Sequence, residues 1–143
     1  MRRVIKLNYK IIILFSMVLT LSQGLFAAAV TSVLIKNGID FSSHVFLYFF
    51  LPDFIISIIV FFFLARRIFT RPVSHALVVY IISIVIHYIL SNILVPSAPL
   101  FFSSFLIQLF LSIAAILIGI WTGSRSVVKN NQQRTRSQID SGL

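Results

Sequence analysis

Three polar side chains, Asp53, His87 and Gln108, lie within long apolar stretches of the sequence and are the first candidates for chemistry. Their surroundings read FFLPDFII, IVIHYIL and FLIQLF. A carboxylate and an imidazole can hold or relay a proton, because histidine titrates near neutral pH and an acid sheltered from water need not stay ionised. An ionised Asp that faces lipid at the centre of a membrane costs about 2.5 to 3.5 kcal/mol. We therefore expect Asp53 either to be protonated or to face protein.

These three side chains are predicted to lie at one depth, provided that the apolar stretches are transmembrane helices. Each lies about eight residues, or about 12 Å at 1.5 Å per residue, from the non-cytoplasmic end of its predicted helix. One interpretation makes Asp53 and His87 a proton-carrying or ligand-coordinating pair. The other makes all three an intramembrane polar layer, whose interhelical hydrogen bonds of about 0.6 to 2 kcal/mol each fix the order and rotation of the helices. We favour the second interpretation, in which Gln23 of the first helix can join the layer.

Four uncharged tracts are the elements that must position these side chains. The chain has 143 residues, of which 59% are hydrophobic, against about 45–50% in soluble domains. Each tract holds about 20 or more residues, the length that a helix needs to cross a hydrocarbon layer about 30 Å thick. The sequence therefore predicts an all-α membrane protein with four transmembrane helices. The predicted spans are 11–35, 45–65, 73–95 and 100–122, within a membrane domain of 11–123 that follows a basic segment, 1–10, and precedes a polar basic tail, 124–143, predicted to be disordered.

The basic residues are distributed unequally between the two ends of these tracts. Of the 12 Lys and Arg residues, all except Lys36 flank the ends that share a side with the amino terminus. Since Lys and Arg accumulate on the cytoplasmic side of membrane proteins, we predict that both termini are cytoplasmic. The same residues can contact the anionic head groups of membrane lipids. The cations assigned to topology and lipid contacts are Arg2, Arg3, Lys6, Lys10, Arg66, Arg67, Arg71, Arg125 and Lys129.

The first tract can also be interpreted as a secretory signal peptide. Its basic start, the apolar run IIILFSMVLTL and the alanines at 27–29 match the three regions of such a peptide, and cleavage after Ala29 would leave three spans. However, the apolar run continues through Ile35 without a break, which makes it long enough to cross the membrane. We therefore favour retention of the first helix, and the topology of the rest of the chain is the same in both cases.

Two ridges of small residues suggest where helices approach each other closely. Ala115, Gly119 and Gly123 recur at four-residue intervals in the fourth tract, and Gly24 and Ala28 do so in the first. Such small-xxx-small spacing lets the backbones of two transmembrane helices come close together. We expect these two ridges to pack on each other within the chain, and contact with another copy or with a larger membrane complex is the alternative.

Several classes of chemistry are excluded or disfavoured by the residues that the chain lacks. It has no cysteine, which excludes disulfides and thiol catalysis, and only three acidic residues. Its three histidines, at 44, 75 and 87, have no recognised metal-ligand spacing. The nucleotide-binding and hydrolase motifs are missing as well. We expect no enzyme activity, no metal, no cofactor and no binding of nucleic acid, the last because the basic residues flank membrane spans.

The region from 46 to 123 resembles the YbjM-like small inner-membrane proteins of enteric bacteria. The resemblance rests on FLP at 50–52, the Arg66–Arg67 pair that closes the second helix, the proline that comes soon after it, the proline-rich break before FFS at 101–103, and the small residues of the fourth helix. It implies a multi-pass location in a bacterial inner membrane rather than an activity.

The sequence therefore favours a small multi-pass protein of a bacterial inner membrane that has no catalytic activity. We interpret it as an accessory or interaction subunit within the bilayer, in contact with lipid head groups, a larger membrane complex or other copies of itself. The alternative is an oligomeric, proton-linked small transporter or channel that uses Asp53 and His87.

Overall fold

Helices form along the apolar tracts because a backbone surrounded by lipid must satisfy its hydrogen bonds within its own segment. The computed structural model describes residues 8–39, 46–68, 71–94 and 102–140. A short π-helical turn, Phe46–Phe50, leads directly into the second helix. The helices are α1 (Tyr9–Lys36), α2 (Leu51–Arg67), α3 (Pro72–Leu94) and α4 (Phe102–Asp140).

Four helices of the described chain are long and apolar enough to cross a membrane, which confirms the predicted all-α, four-helix membrane fold. Large apolar side chains such as Leu14, Ile59, Ile81 and Phe110 are exposed on each of the four helices. Exposed apolar surface on every helix suits a bundle surrounded by lipid. The spanning segments are Tyr9–Lys36, Phe46–Arg67, Pro72–Leu90 and Leu106–Val128.

The two ends of α1 are closed by local hydrogen bonds. At the start, the Asn8 side chain accepts a hydrogen bond from the Ile11 backbone N–H at 3.4 Å, which caps the helix. At the end, Gly38 adopts a φ of 63°. Its N–H donates to the Ile35 carbonyl at 3.1 Å, and the next N–H, of Ile39, donates to the Leu34 carbonyl at 3.0 Å. This is the Schellman arrangement, in which a glycine in the left-handed region satisfies the last helical carbonyls.

The small residues of α4 bring it close to α2. A β-carbon added at Gly119 would lie 2.8 Å from the Ile58 carbonyl oxygen, and one added at Gly123 would lie 2.6 Å from the Phe62 carbonyl oxygen. Ala115 is fully buried. The α4 ridge therefore packs within the chain, but it packs on α2 and not on the α1 ridge as expected from spacing alone. The α1 ridge is open, since nothing lies within 4 Å of a β-carbon added at Gly24.

Burial is concentrated in the half of the bundle that carries most of the basic residues, here called the basic half. It contains the start of α1, the end of α2, the start of α3 and the middle of α4, and its core includes Ile12, Phe61, Val79 and Ile116. Among the side chains that the structure describes in the opposite half, here called the open half, only Leu34 is buried. The helices are thus tightly packed at one end of the bundle and loosely packed at the other.

The fourth helix continues beyond the membrane span. The sequence predicts a disordered tail from 124, whereas the structure extends α4 to Asp140. No glycine or proline occurs between Gly123 and Gly142, and the segment contains three Gln and three Arg residues, which are good helix formers. Because the preceding span already supplies the helical nucleus, the extension needs only propagation.

Candidate functional site

Asp53 lines a small polar cavity among α1, α2 and α4, where the tight packing of the basic half ends. The volume within which the centre of a water molecule can move is about 10 Å³. This is about the space that one water molecule needs. Asp53 and Ser57 are one helical turn apart on α2, and Gln108 and Ser112 are one turn apart on α4. The polar lining residues are Gln23, Asp53, Ser57, Gln108 and Ser112, and the apolar ones are Phe50, Phe54 and Leu111.

The cavity is held in place by a hydrogen bond between α1 and α2. The Gln23 side-chain Nε2 donates to the Ser57 hydroxyl oxygen at 3.2 Å. Ser57 is buried, whereas Asp53 is half-buried and the side chain of Gln108 is exposed. The structure therefore brings Asp53 and Gln108 of the predicted polar layer together and adds Gln23, Ser57 and Ser112 to them. The amide oxygen of Gln23 and the hydroxyl proton of Ser57 take no part in this bond.

An irregular turn of backbone adjoins the cavity. The π-helical turn Phe46–Phe50 ends at a cavity residue, Phe50, and Pro52 lies in the first turn of α2. Proline has no N–H to donate to the preceding turn, and π-helical turns are rare and frequent at functional sites. Irregular backbone at membrane depth is tolerated where it lies against protein or lines a cavity. The sequence signal for this feature was the Pro-Asp pair within an apolar run.

His87, the third member of the predicted polar layer, does not line the Asp53 cavity. Its side chain is exposed on α3, so the structure does not pair it with Asp53 as the proton-carrying interpretation requires. Equal depth in two helices does not set their rotation or their separation. The α3 side chains from His87 to Leu90 are all exposed, because α3 has left the tightly packed part of the bundle at this level.

Nearer to the basic half than His87, polar contacts join α1 to α3, and the paired residues have the same separation in the sequence. The Ser16 hydroxyl donates to the Val79 carbonyl at 3.2 Å, and the Thr20 and Ser83 hydroxyls are hydrogen bonded at 2.9 Å, each pair being 63 residues apart. Continued by one more turn, this register would bring Gly24 level with His87. These contacts were not predicted, although the four-residue spacing of Ser16 and Thr20 on α1 was a visible signal.

Beyond these contacts, toward the open half, the boundary between α1 and α3 is open. We call this region the open seam and define it by Gly24 and Ala28 on α1 and His87 on α3. All three residues are exposed. The Ser32 hydroxyl donates back to the Ala28 carbonyl at 2.8 Å, so it does not bridge to α3 through this bond. Two small residues of α1 and an imidazole of α3 are thus exposed within the membrane-spanning part of the bundle.

A second polar cluster ties the start of α1 to the start of α3. His75 is only 2% exposed. Its Nε2 accepts a hydrogen bond from the Asn8 backbone N–H at 3.2 Å, and its Nδ1 lies 3.1 Å from the Arg71 carbonyl oxygen. Because a carbonyl can only accept, Nδ1 is the donor in this contact, while Nε2 is the acceptor for Asn8. The sequence assigned no role to His75, and nothing in its spacing identified this contact.

The basic half also carries cation–π contacts that fix two arginines near the membrane boundary. The Arg125 guanidinium lies 3.9 Å from the centre of the Trp121 ring, and that of Arg66 lies 5.6 Å from the Phe62 ring. Lys10, Arg66, Arg67, Arg71 and Arg125 are all exposed. Of the other predicted lipid contacts, Arg2, Arg3, Lys6 and the side chain of Lys129 lie outside the described residues.

Comparison of the chain with protein-family models, curated proteins and solved structures finds no match. The resemblance to YbjM-like proteins therefore stays a prediction. Any function must be inferred from the contacts and surfaces of the chain itself.

Proposed function

We propose that the protein is a non-catalytic interaction subunit of a bacterial inner membrane, with both termini in the cytoplasm and with the open seam as its contact surface. The observation that carries this proposal is the exposure of His87 on α3 together with that of the small residues Gly24 and Ala28 on α1. Ionisable side chains within transmembrane segments are costly to expose to lipid and usually face protein or water. A transmembrane helix of a partner would cover the imidazole and would fit against the small residues.

The polar groups inside the bundle serve a different purpose. The bonds Thr20–Ser83, Ser16–Val79 and Gln23–Ser57 join α1 to its two neighbours. No buried side-chain nitrogen or oxygen of the described residues is left without a hydrogen-bond partner. Interhelical hydrogen bonds of this kind contribute about 0.6 to 2 kcal/mol each. They support a structural role for the interior, which leaves the outer surface for contacts with other molecules.

Exposed arginines in the basic half support the proposed orientation. Arg66 and Arg125 lie on neighbouring helices and are each held over an aromatic ring. Exposed arginines at one end of a bundle suit the anionic head groups of a cytoplasmic leaflet, each basic residue near the surface being worth about 1 kcal/mol. We therefore propose that the basic half contacts these lipids while the open half receives the partner.

The proposal can be tested by photo-crosslinking in native membranes. A photoreactive amino acid is placed at His87 or, as a matched control, at Ile89, which is also exposed on α3 at nearly the same depth but on a different face. We expect a defined protein adduct from position 87 and lipid adducts alone from position 89. Gly24→Leu should reduce the adduct from position 87 at least tenfold by filling the seam. Equal adducts from both positions, or lipid adducts alone from position 87, would contradict the proposal.

A further inference from the structure

The Asp53 cavity has the composition of a site for a small cation. Its polar lining offers one carboxylate, the side-chain amides of Gln23 and Gln108, and the hydroxyls of Ser57 and Ser112. The available ligands are therefore oxygen atoms, contributed by three different helices. Oxygen ligands of this kind select hard cations, whereas softer metals prefer imidazole or thiolate groups.

The single carboxylate of the cavity determines the charge of the cation that it can neutralise. Among the residues that the structure describes, Asp53 is the only ionisable one that lines it, with no Lys, Arg or His. A carboxylate within the membrane needs a proton or a positive charge close by. One monovalent cation neutralises it, while a divalent cation would leave an uncompensated positive charge in a region of low dielectric constant. The charge balance therefore favours a monovalent ion.

The size and surroundings of the cavity narrow the choice further. A volume of about 10 Å³ for the centre of a water-sized sphere admits one water-sized occupant, which suits a single bare alkali cation, Na⁺ or K⁺, and excludes larger organic cations. The exposed side chain of Gln108 provides a way in from the surface.

We infer that the cavity among α1, α2 and α4 is a binding site for one monovalent alkali cation, Na⁺ or K⁺, with Asp53 supplying the neutralising charge and Gln23, Ser57, Gln108 and Ser112 supplying neutral oxygen ligands. A bound ion would join α2 to both α1 and α4 in the loosely packed open half. The site requires neither transport nor the partner contact proposed above.

The test uses the purified full chain in detergent micelles, at constant pH and ionic strength, with NaCl, KCl or choline chloride. Thermal unfolding is followed by circular dichroism, and binding is measured directly with radioactive ²²Na⁺. We expect a saturable rise of the melting temperature with Na⁺ and with K⁺, and none with choline. Asp53→Asn should lower ²²Na⁺ affinity at least tenfold and abolish the Na⁺-dependent shift.

Two further variants keep the inference falsifiable if the Asp53 variant fails to fold. Ser112→Ala removes one neutral ligand and should lower Na⁺ affinity several-fold. His87→Asn removes an ionisable group outside the cavity and should leave the affinity unchanged. Identical unfolding in Na⁺ and choline, equal affinity in all variants, or stability that responds to pH but not to Na⁺ would overturn the inference. None of these outcomes alters the expected crosslinks from position 87.

Discussion

Replacing Gly123 by alanine should destabilise the bundle through the contact between α4 and α2. The added β-carbon would lie 2.6 Å from the Phe62 carbonyl oxygen and 2.9 Å from the Ala65 β-carbon, while ordinary van der Waals contact begins at 3.4 Å. Neither atom can rotate away, so the helices must separate by several tenths of an ångström. Overpacking of this kind costs about 1 to 3 kcal/mol. Alanine also gains up to about 1 kcal/mol over glycine in helix propensity, which offsets part of that cost.

Gly24→Ala is the matched control, because the same chemical change meets nothing within 4 Å. The gain in helix propensity is common to both variants, so the difference between them isolates the cost of overpacking. Unfolding in mixed micelles by added SDS, followed by the fluorescence of Trp121, measures both free energies of unfolding. We expect Gly123→Ala to be less stable than Gly24→Ala by about 1 to 3 kcal/mol. Equal stability of the two variants would refute the close approach of α4 to α2.

Three other predictions concern contacts that the sequence did not reveal. His75→Ala should lower the free energy of unfolding by about 1 to 3 kcal/mol, since the Asn8 N–H loses its acceptor and a buried imidazole is removed, whereas His87→Ala should change it by less than about 0.5 kcal/mol; equal effects would contradict the assigned contacts. A double-mutant cycle of Thr20→Val and Ser83→Ala should show a coupling energy of about 0.6 kcal/mol and at most about 1.7 kcal/mol. Additive effects would show that the two hydroxyls do not interact. Gln132→Pro should reduce the helical circular dichroism signal without changing the unfolding midpoint of the membrane domain; an unchanged signal would argue against the helical extension of α4.

The four helices could be predicted because charge is excluded from hydrocarbon. The tract bounded by Lys10 and Lys36 corresponds to α1 to within a few residues. The tract closed by Arg66 and Arg67 corresponds to α2 together with the π-helical turn before it. Helix ends were less predictable, since they depend on local bonds. The π-helical turn before Pro52, for example, has no periodic signal of its own.

The arrangement of side chains between helices was predicted only in part. Depth placed Asp53 and Gln108 at one level, and the structure brings both to the cavity. Depth also placed His87 there, but the loosening of the bundle in the open half leaves this side chain exposed. Spacing identified Gly119 as a point of close approach without revealing that α2 is its neighbour. Helix order and rotation depend on contacts between distant segments, which the periodicity of one helix does not encode.

The central claim is that the chain crosses the membrane four times and has its basic half in the cytoplasm. Because the chain contains no cysteine, single cysteines report their side of the membrane without interference. Tyr9, Ile39 and Val128 are exposed residues at the start of α1, just after the end of α1 and at the end of the fourth span. A membrane-impermeant maleimide applied to intact cells whose outer membrane has been permeabilised should label Ile39→Cys, while Tyr9→Cys and Val128→Cys should react only after the inner membrane is opened. Labelling of Tyr9→Cys or Val128→Cys from outside, or protection of Ile39→Cys, would contradict the account.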